Sequence, residues 1–154
     1  MPFPKRGTPR LTDCIAPVYY DMHYDLLDNK HTYYTIGGGR GSLKSSVVSL
    51  EIVLGITQDK NANAVCYRKV ADTIESSVYE QILWAIDKLG LTDKFHCTKS
   101  PYRCTYITTG QQILFKGLDK AKKSKSIKVA RGYIKYLWFN IQTTLNPLNS
   151  VETL

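Results

Sequence analysis

The segment "TIGGGRGSLKSS", residues 35–46, limits the folds open to this chain of 154 residues more than any other feature. Four glycines within five positions allow backbone conformations that other residues rarely adopt. Phosphate-binding loops follow the pattern G-x-x-x-x-G-K-[ST]. Gly38, Lys44 and Ser45 match it, whereas Leu43 stands in place of the second glycine. The segment is therefore either a phosphate-binding loop or a glycine-rich turn with a solvated lysine.

A phosphate-binding loop needs a strand before it and a helix after it, because amide groups then converge at the positive end of the helix. The β-branched and aromatic residues 31–36 predict the strand. Residues 45–55 are apolar on nearly every face, which is typical of a buried helix or a buried strand. We expect the helix, because the serines suit its start and Gly55 lies near its end. Lys44 would contact the β- and γ-phosphates, and the Ser45 hydroxyl would bind Mg²⁺. If position 43 demands a positive φ, leucine there costs about 1–3 kcal/mol.

The rest of the sequence predicts alternating strands and helices. Residues 64–70 form a second strand, and an amphipathic helix over 73–89 follows a capping box made by Asp72 and Glu75. Gly90 ends that helix, and a hairpin turns at Gly110. The bulky residues of 132–140 predict a strand that is buried on both faces. The order of these elements is that of an α/β fold.

The charge of the chain favours an anionic partner. Lysine and arginine number 21 against 13 acidic residues, which gives a net charge of +8. A basic segment between the hairpin and the last strand is either a solvated loop or a patch for nucleic-acid phosphates. Its candidate DNA contacts are Lys120, Lys122, Lys123, Lys125 and Lys128.

Composition also excludes several classes. No apolar run approaches the length of about 20 residues that spans a bilayer, and the N-terminus lacks the apolar core of a signal peptide. The four cysteines fit no common zinc pattern and are expected to be reduced thiols in a cytosolic protein.

ATP hydrolysis of the P-loop type needs an acidic residue at the end of a neighbouring buried strand, to hold Mg²⁺. The last predicted strand ends at Asn140, and Ile141 follows it. Neither side chain can supply that carboxylate. Arg68, after the second strand, is either within reach of a phosphate or an ordinary surface arginine.

Three segments together resemble one known family. They are "YYTIGGGRGSLKSS", "NANAVCYRKVADTIESSVYEQILWAIDKLG" and "SPYRCTYITTGQQILFKGLDKAKKSKSIKVARGYIKYLWF". They occur in the order and spacing of the large subunit of phage terminases, of the PBSX-like type. The resemblance runs from about residue 32 to residue 139.

This resemblance implies a P-loop NTPase-like fold: an incomplete, parallel-type sheet flanked by helices, with a β-hairpin insertion. It implies ATP and Mg²⁺ as cofactors, with Ser45 as the magnesium ligand. The nucleotide-binding residues would be Gly38, Gly39, Arg40, Gly41, Ser42, Lys44 and Ser45. The implied partners are double-stranded phage DNA, the small terminase subunit and the portal. The implied location is the cytoplasm of a bacterial host, in a chain encoded by a phage or prophage.

The sequence departs from the family after Phe139. Family members carry two acids there, so with Asn140 and Ile141 no catalytic residue is intact. We expect an N-terminal arm over 1–30, a partial ATPase domain over 31–139 and a divergent tail over 140–154, with no nuclease domain. Either a frameshift or local sequence decay in a prophage gene would give such a tail. The strand that would separate the last strand from the glycine-loop strand would lie beyond residue 154, leaving a gap in the sheet.

The function expected from the sequence is the ATP-binding, N-terminal part of a terminase large subunit that does not hydrolyse ATP alone. One alternative is a basic nucleic-acid-binding module, or a non-functional prophage remnant, without a nucleotide site. Another is a small stand-alone nucleotide-binding protein such as a kinase, although the sequence shows no acceptor-site chemistry.

Overall fold

The computed structural model describes residues 10–38, 43–119 and 127–140. Within them lie three α-helices and five strands. The helices are α1 (Tyr20–Leu27), α2 (Lys44–Gln58) and α3 (Glu80–Lys88). The strands are β1 (Ala62–Arg68), β2 (Phe95–Lys99), β3 (Tyr102–Tyr106), β4 (Gln112–Gly117) and β5 (Tyr133–Asn140). Short 3₁₀ turns and one π-helical turn, Glu75–Tyr79, connect them.

The five strands form one mixed sheet in the order β2-β3-β4-β1-β5. β1 lies between β4 and β5 and is parallel to both, whereas β2, β3 and β4 pair antiparallel. The predicted hairpin is confirmed as β3 and β4, with Gly110 at φ +83° in the turn. The predicted α/β class is likewise confirmed.

One face of the sheet carries the core. Alternate residues of the central strands, such as Ala64, Cys66, Ile113 and Phe115, pack with the apolar faces of α2 and α3. Three residues of the first thirty, Leu11, Ile15 and Tyr19, are buried in the same core. The division of the chain into an arm, a partial domain and a tail stays a prediction, and the tail lies outside the described residues except for Asn140.

The predicted strand over residues 31–36 is wrong, because these residues are in no strand. Side-chain hydrogen bonds hold the segment against α1 instead. The Asp25 carboxylate lies 2.6 Å from the Tyr34 hydroxyl, which donates to it, and 2.6 Å from His31 Nδ1. A β-prone sequence becomes a strand only where a neighbouring strand completes its backbone hydrogen bonds. No described strand does so here.

The predicted single helix over 73–89 is also wrong in its first half. A 3₁₀ turn, Ala71–Thr73, is followed by the π-helical turn, and regular helix begins at Glu80. The predicted capping box does not form, since Asp72 lies inside the 3₁₀ turn and no side chain caps the turn that follows. A contact with the end of β1 accounts for the missing capping box. Arg68 Nε donates to Thr73 Oγ1 at 3.1 Å and holds the 3₁₀ turn close to the end of the strand. Gly90, at φ +70°, ends α3 as predicted.

The prediction that the last strand is buried on both faces is wrong as well. Trp138 is 9% exposed on the core face, whereas Leu137 and Phe139 on the other face are 55% and 42% exposed. β5 is an edge strand in the described sheet, and both α2 and α3 lie on its core side. No helix within the described residues is long and apolar enough to cross a membrane.

Candidate functional site

The topology places the start of α2 at the edge of the sheet where β1, β4 and β5 end, here called the carboxyl edge. A three-residue turn joins the end of α2 to the start of β1, so helix and strand run in opposite directions. Fifteen helical residues span about 22 Å and seven strand residues about 23 Å. The first turn of α2 therefore lies level with the last residues of β1. Open α/β sheets bind ligands at this edge.

A hydrogen bond joins the two ends of the segment from Gly38 to Lys44, here called the glycine loop. Lys44 Nζ donates to the carbonyl oxygen of Gly38 at 2.5 Å. Lys44 is also the first residue of α2, so its ammonium group is held beside the positive end of a fifteen-residue helix. Of the predicted nucleotide-binding residues, Gly39, Arg40, Gly41 and Ser42 lie outside the described residues. The three described residues lie on either side of this gap: Gly38 precedes it, and Lys44 and Ser45 are in the first turn of α2.

Leu43 adopts the left-handed backbone conformation that the phosphate-loop pattern assigns to glycine. Its φ is +59° and its ψ is +17°, and it is the N-cap residue of α2 without a side-chain cap. The side chain is 59% exposed, so burial does little to offset the strain. A side chain in this region costs about 1–2 kcal/mol. Position 43 therefore has the positive φ on which the expected strain energy depended.

We expect Leu43→Gly to raise the free energy of unfolding by about 1 kcal/mol, because glycine relieves this strain at the cost of some unfolded-state entropy. Urea denaturation measures the change. Leu83→Gly is the matched control: Leu83 is also an exposed leucine but lies inside α3. The free energy of unfolding of Leu83→Gly should fall by about 1 kcal/mol, because glycine is unfavourable inside a helix. Equal losses in the two variants would contradict the strain at position 43.

Arg68 and Asn140 meet at the carboxyl edge. Arg68 Nη1 donates to Asn140 Oδ1 at 3.1 Å and to the Asn140 carbonyl oxygen at 3.3 Å. Tyr67 and Phe139, one residue earlier on each strand, stack with ring centroids 5.0 Å apart. These contacts fix the end of β5 against the end of β1. The position where the resemblance predicts an acid is thus occupied by an amide whose oxygen accepts from an arginine.

The described residues contain no group of three or more His, Cys, Asp or Glu side chains that could hold a metal ion. Ser45 lies half-buried in the first turn of α2.

A cleft of about 400 Å³ adjoins the glycine loop, between α1 and the segment over 31–37. Tyr19, Met22, Tyr33, Ile36 and Gly37 are among its lining residues. The cleft is open to solvent, and Tyr33 in its lining is 90% exposed. The sequence reading missed this cleft, although the dense aromatic residues of "YYDMHYDLL" and "HTYYTI" are its signal.

Of the five predicted DNA contacts, one lies within the described residues. Lys120, Lys122, Lys123 and Lys125 lie outside the described residues, and Lys128 is described and exposed. Lys116 and Arg131, on either side of the segment, are exposed too. The three placed cations precede or follow the undescribed stretch, and the DNA role of the segment stays a prediction.

The chain is similar to known proteins over most of its length. A family model described as phage terminase large subunit matches residues 30–153. The terminase large subunit of Bacillus phage SPP1 is 34% identical over 129 residues, which is 84% of this chain and 30% of that protein. The PBSX phage terminase large subunit of Bacillus subtilis (strain 168) is 36% identical over 98 residues, 64% of this chain and 22% of that protein.

This chain therefore spans less than a third of the length of either relative. The match includes the glycine loop, the Arg68 and Asn140 pair and the basic segment. The resemblance noted from the three quoted segments is confirmed, including the PBSX-like type. The chain belongs to the phage terminase large subunit family.

Proposed function

We propose that this chain forms the ATP-binding part of a terminase large subunit, with a P-loop at residues 38–45. The observation that carries the proposal is the loop closed by Lys44 and Gly38 in front of α2. It supplies the helix half of the expected strand–loop–helix arrangement, whereas residues 31–36, before the loop, are in no strand. The γ-phosphate would displace the Gly38 carbonyl from the ammonium group, since phosphate is the stronger acceptor. The amides of residues 39–42 and the first turn of α2 would surround the other phosphates, and Ser45 would bind Mg²⁺.

The cleft beside α1 supports the same proposal. A triphosphate bound at the loop would direct its nucleoside toward the cleft, because Gly37 in the cleft wall directly precedes Gly38, the first residue of the loop. Tyrosine rings along that wall offer stacking surfaces to a base, which a solvated lysine turn would not need.

The chain by itself should not hydrolyse ATP. Asn140 cannot act as the carboxylate that holds Mg²⁺, and its side-chain oxygen already accepts from Arg68. Hydrolysis at rates usual for the family would refute this part of the proposal and leave the binding site in place. Steady-state phosphate release from the 154-residue chain is the measurement.

We expect Lys44→Ala to weaken Mg-ATP binding by at least about tenfold, because it removes the charge held at the loop. Isothermal titration calorimetry with Mg-ATP measures the affinity. Lys60→Ala is the matched control, since Lys60 is exposed just beyond the other end of α2. Equal affinities in the two variants and the parent chain would remove the P-loop proposal. That result would favour a basic module or remnant without a nucleotide site.

We further propose that the basic segment contacts double-stranded phage DNA in the cytoplasm of a bacterial host. The net charge of +8 and the exposed Lys116, Lys128 and Arg131 support it. DNA affinity that falls steeply with salt, and falls further when the segment's lysines become glutamine, would agree with this role. The small terminase subunit and the portal are the remaining proposed partners.

A further inference from the structure

Cys97 and Cys104 lie directly opposite each other on β2 and β3. Both are free thiols. Cys104 is fully buried against the core, whereas Cys97 is partly exposed at the outer strand of the sheet. The sequence alone separates them by seven positions and gives no sign that they face each other.

The ladder of hydrogen bonds fixes how closely the two residues approach. Tyr106 N–H donates toward β4, to Gln111, while Ile107 N–H donates toward β2, to Lys94. Successive residues of a strand direct their backbone groups to opposite sides, so Cys104, like Tyr106, directs its groups toward β4. Cys97 and Cys104 are therefore a non-hydrogen-bonded pair, the closer kind, with Cα atoms about 4.5 Å apart. Disulfides span Cα separations of about 4.4–6.8 Å.

The two thiols differ in reactivity. Hydrogen bonding from the Cys104 thiol lowers the pKa of Cys97, while the same contact and burial raise the pKa of Cys104. Cys97 is thus the more nucleophilic and the more accessible sulfur, and Cys104 is held in place beside it. An attacking and a resolving cysteine show this division of roles.

The other two cysteines offer no equivalent. Burial raises the pKa of Cys66, which is fully enclosed on β1. Cys14 is partly exposed at the end of the first 3₁₀ turn and faces no strand partner. The register of β2 and β3 therefore singles out one pair within the described chain.

We propose that Cys97 and Cys104 are a redox modification site, which closes to a cross-strand disulfide when the chain meets a peroxide. The Cys97 thiolate attacks one peroxide oxygen, giving a sulfenic acid and one molecule of water or alcohol. The Cys104 sulfur then attacks the Cys97 sulfur and expels the hydroxyl as a second molecule of water. The two thiols lose two electrons and two protons in total, and the peroxide gains them. A dithiol reductant reverses the reaction.

The full chain tests this with hydrogen peroxide as the probe, followed by alkylation of remaining thiols and tryptic digestion without reductant. Trypsin cleaves after Lys94, Lys99 and Arg103, which separates the two cysteines. The expected product is the peptide "FHCTK" linked to "CTYITTGQQILFK". It should form about tenfold or more faster in the folded chain than in urea, because the sheet holds the thiols together. Dithiothreitol should remove it.

Two variants sharpen the result. Cys104→Ser should leave a Cys97 sulfenic acid that dimedone traps, whereas Cys97→Ser should leave Cys104 as an unreacted thiol. The proposal is overturned if Cys14 oxidises before Cys97, if the linked peptides contain Cys66 instead, or if folding gives no advantage in rate. These readouts do not involve nucleotide and are independent of the proposed function.

Discussion

Replacing His23 by alanine is expected to lower the free energy of unfolding by about 3–5 kcal/mol. His23 on α1 and Glu51 on α2 are both buried, and His23 Nδ1 lies 2.6 Å from Glu51 Oε1. This contact joins the first thirty residues to the helix that follows the glycine loop. Removing the imidazole leaves a carboxylate enclosed without its partner, which costs more than the contact itself contributes. Chemical denaturation of the two chains measures the difference.

The deficit of His23→Ala should depend on pH. Burial raises the pKa of Glu51 and the contact with His23 partly lowers it, so loss of His23 raises the folded-state pKa further. A carboxyl with a raised folded-state pKa destabilises the fold increasingly as pH rises from its unfolded pKa of about 4.3 to the folded-state value. The penalty is complete above the folded-state pKa and absent below the unfolded one. The deficit should therefore be largest at neutral pH and shrink toward pH values of about 4–5.

The chain contains a matched control for this effect. His31 and Asp25 make the same kind of contact, with His31 Nδ1 also 2.6 Å from a carboxylate oxygen, but the His31 side chain is 68% exposed. His31→Ala should change stability little, because water replaces the lost partner. The double variant His23→Ala/Glu51→Ala should be more stable than His23→Ala alone. Equal losses from His23→Ala and His31→Ala would show that burial is not the cause.

Replacing Asn63 by leucine is expected to cost a similar amount, about 3–5 kcal/mol. Asn63 is 1% exposed on β1, and its amide group satisfies backbone groups on both neighbouring strands. Its Oδ1 accepts from the Gln112 N–H at 2.8 Å, and its Nδ2 donates to the carbonyls of Arg131 at 2.6 Å and Tyr133 at 3.1 Å. Leucine has the same branched arrangement and number of side-chain heavy atoms, so no cavity forms. The loss comes from the unsatisfied backbone groups, with some overpacking because the methyl groups are larger than the amide atoms.

Asn61→Ala is the control for Asn63→Leu. Asn61 is exposed, and its part in the same region is a backbone carbonyl that accepts from the Tyr133 N–H at 2.8 Å, which alanine keeps. The free energy of unfolding should fall by less than about 0.5 kcal/mol in Asn61→Ala. Urea denaturation with an unchanged dependence on urea concentration would assign the difference to the folded state. A small loss in Asn63→Leu would mean that water replaces the amide at the irregular register between β1 and β5.

Several elements could be predicted because their causes are local. Gly90 and Gly110 lie at positive φ, as a helix end and a hairpin turn require. The serines before an apolar run predicted α2, and the alternative of a buried strand did not occur. The conflict between Leu43 and the phosphate-loop pattern was also visible in the sequence. The structure adds that the backbone keeps the glycine-like conformation and carries the strain.

Other elements could not be predicted because they depend on partners far away in the chain. The outer strand β2 has a short sequence without a strong pattern, and it forms because β3 pairs with it. Residues 31–36 have a strong strand pattern but contact Asp25 through their side chains instead. β5 carries bulky residues on both of its faces, so its sequence does not show which face is buried. The packing of α2 and α3 on one side of the sheet decides this.

The sequence by itself determined the glycine loop and its lysine, the helix after the loop, the hairpin and the family to which the chain belongs. Each of these depends on residue types within a few positions or on the order of short segments. Only the tertiary structure decided that Arg68 binds Asn140, that Cys97 faces Cys104 and that His23 meets Glu51. Strand register and helix packing bring these residues together from distant positions, and neither follows from local propensity.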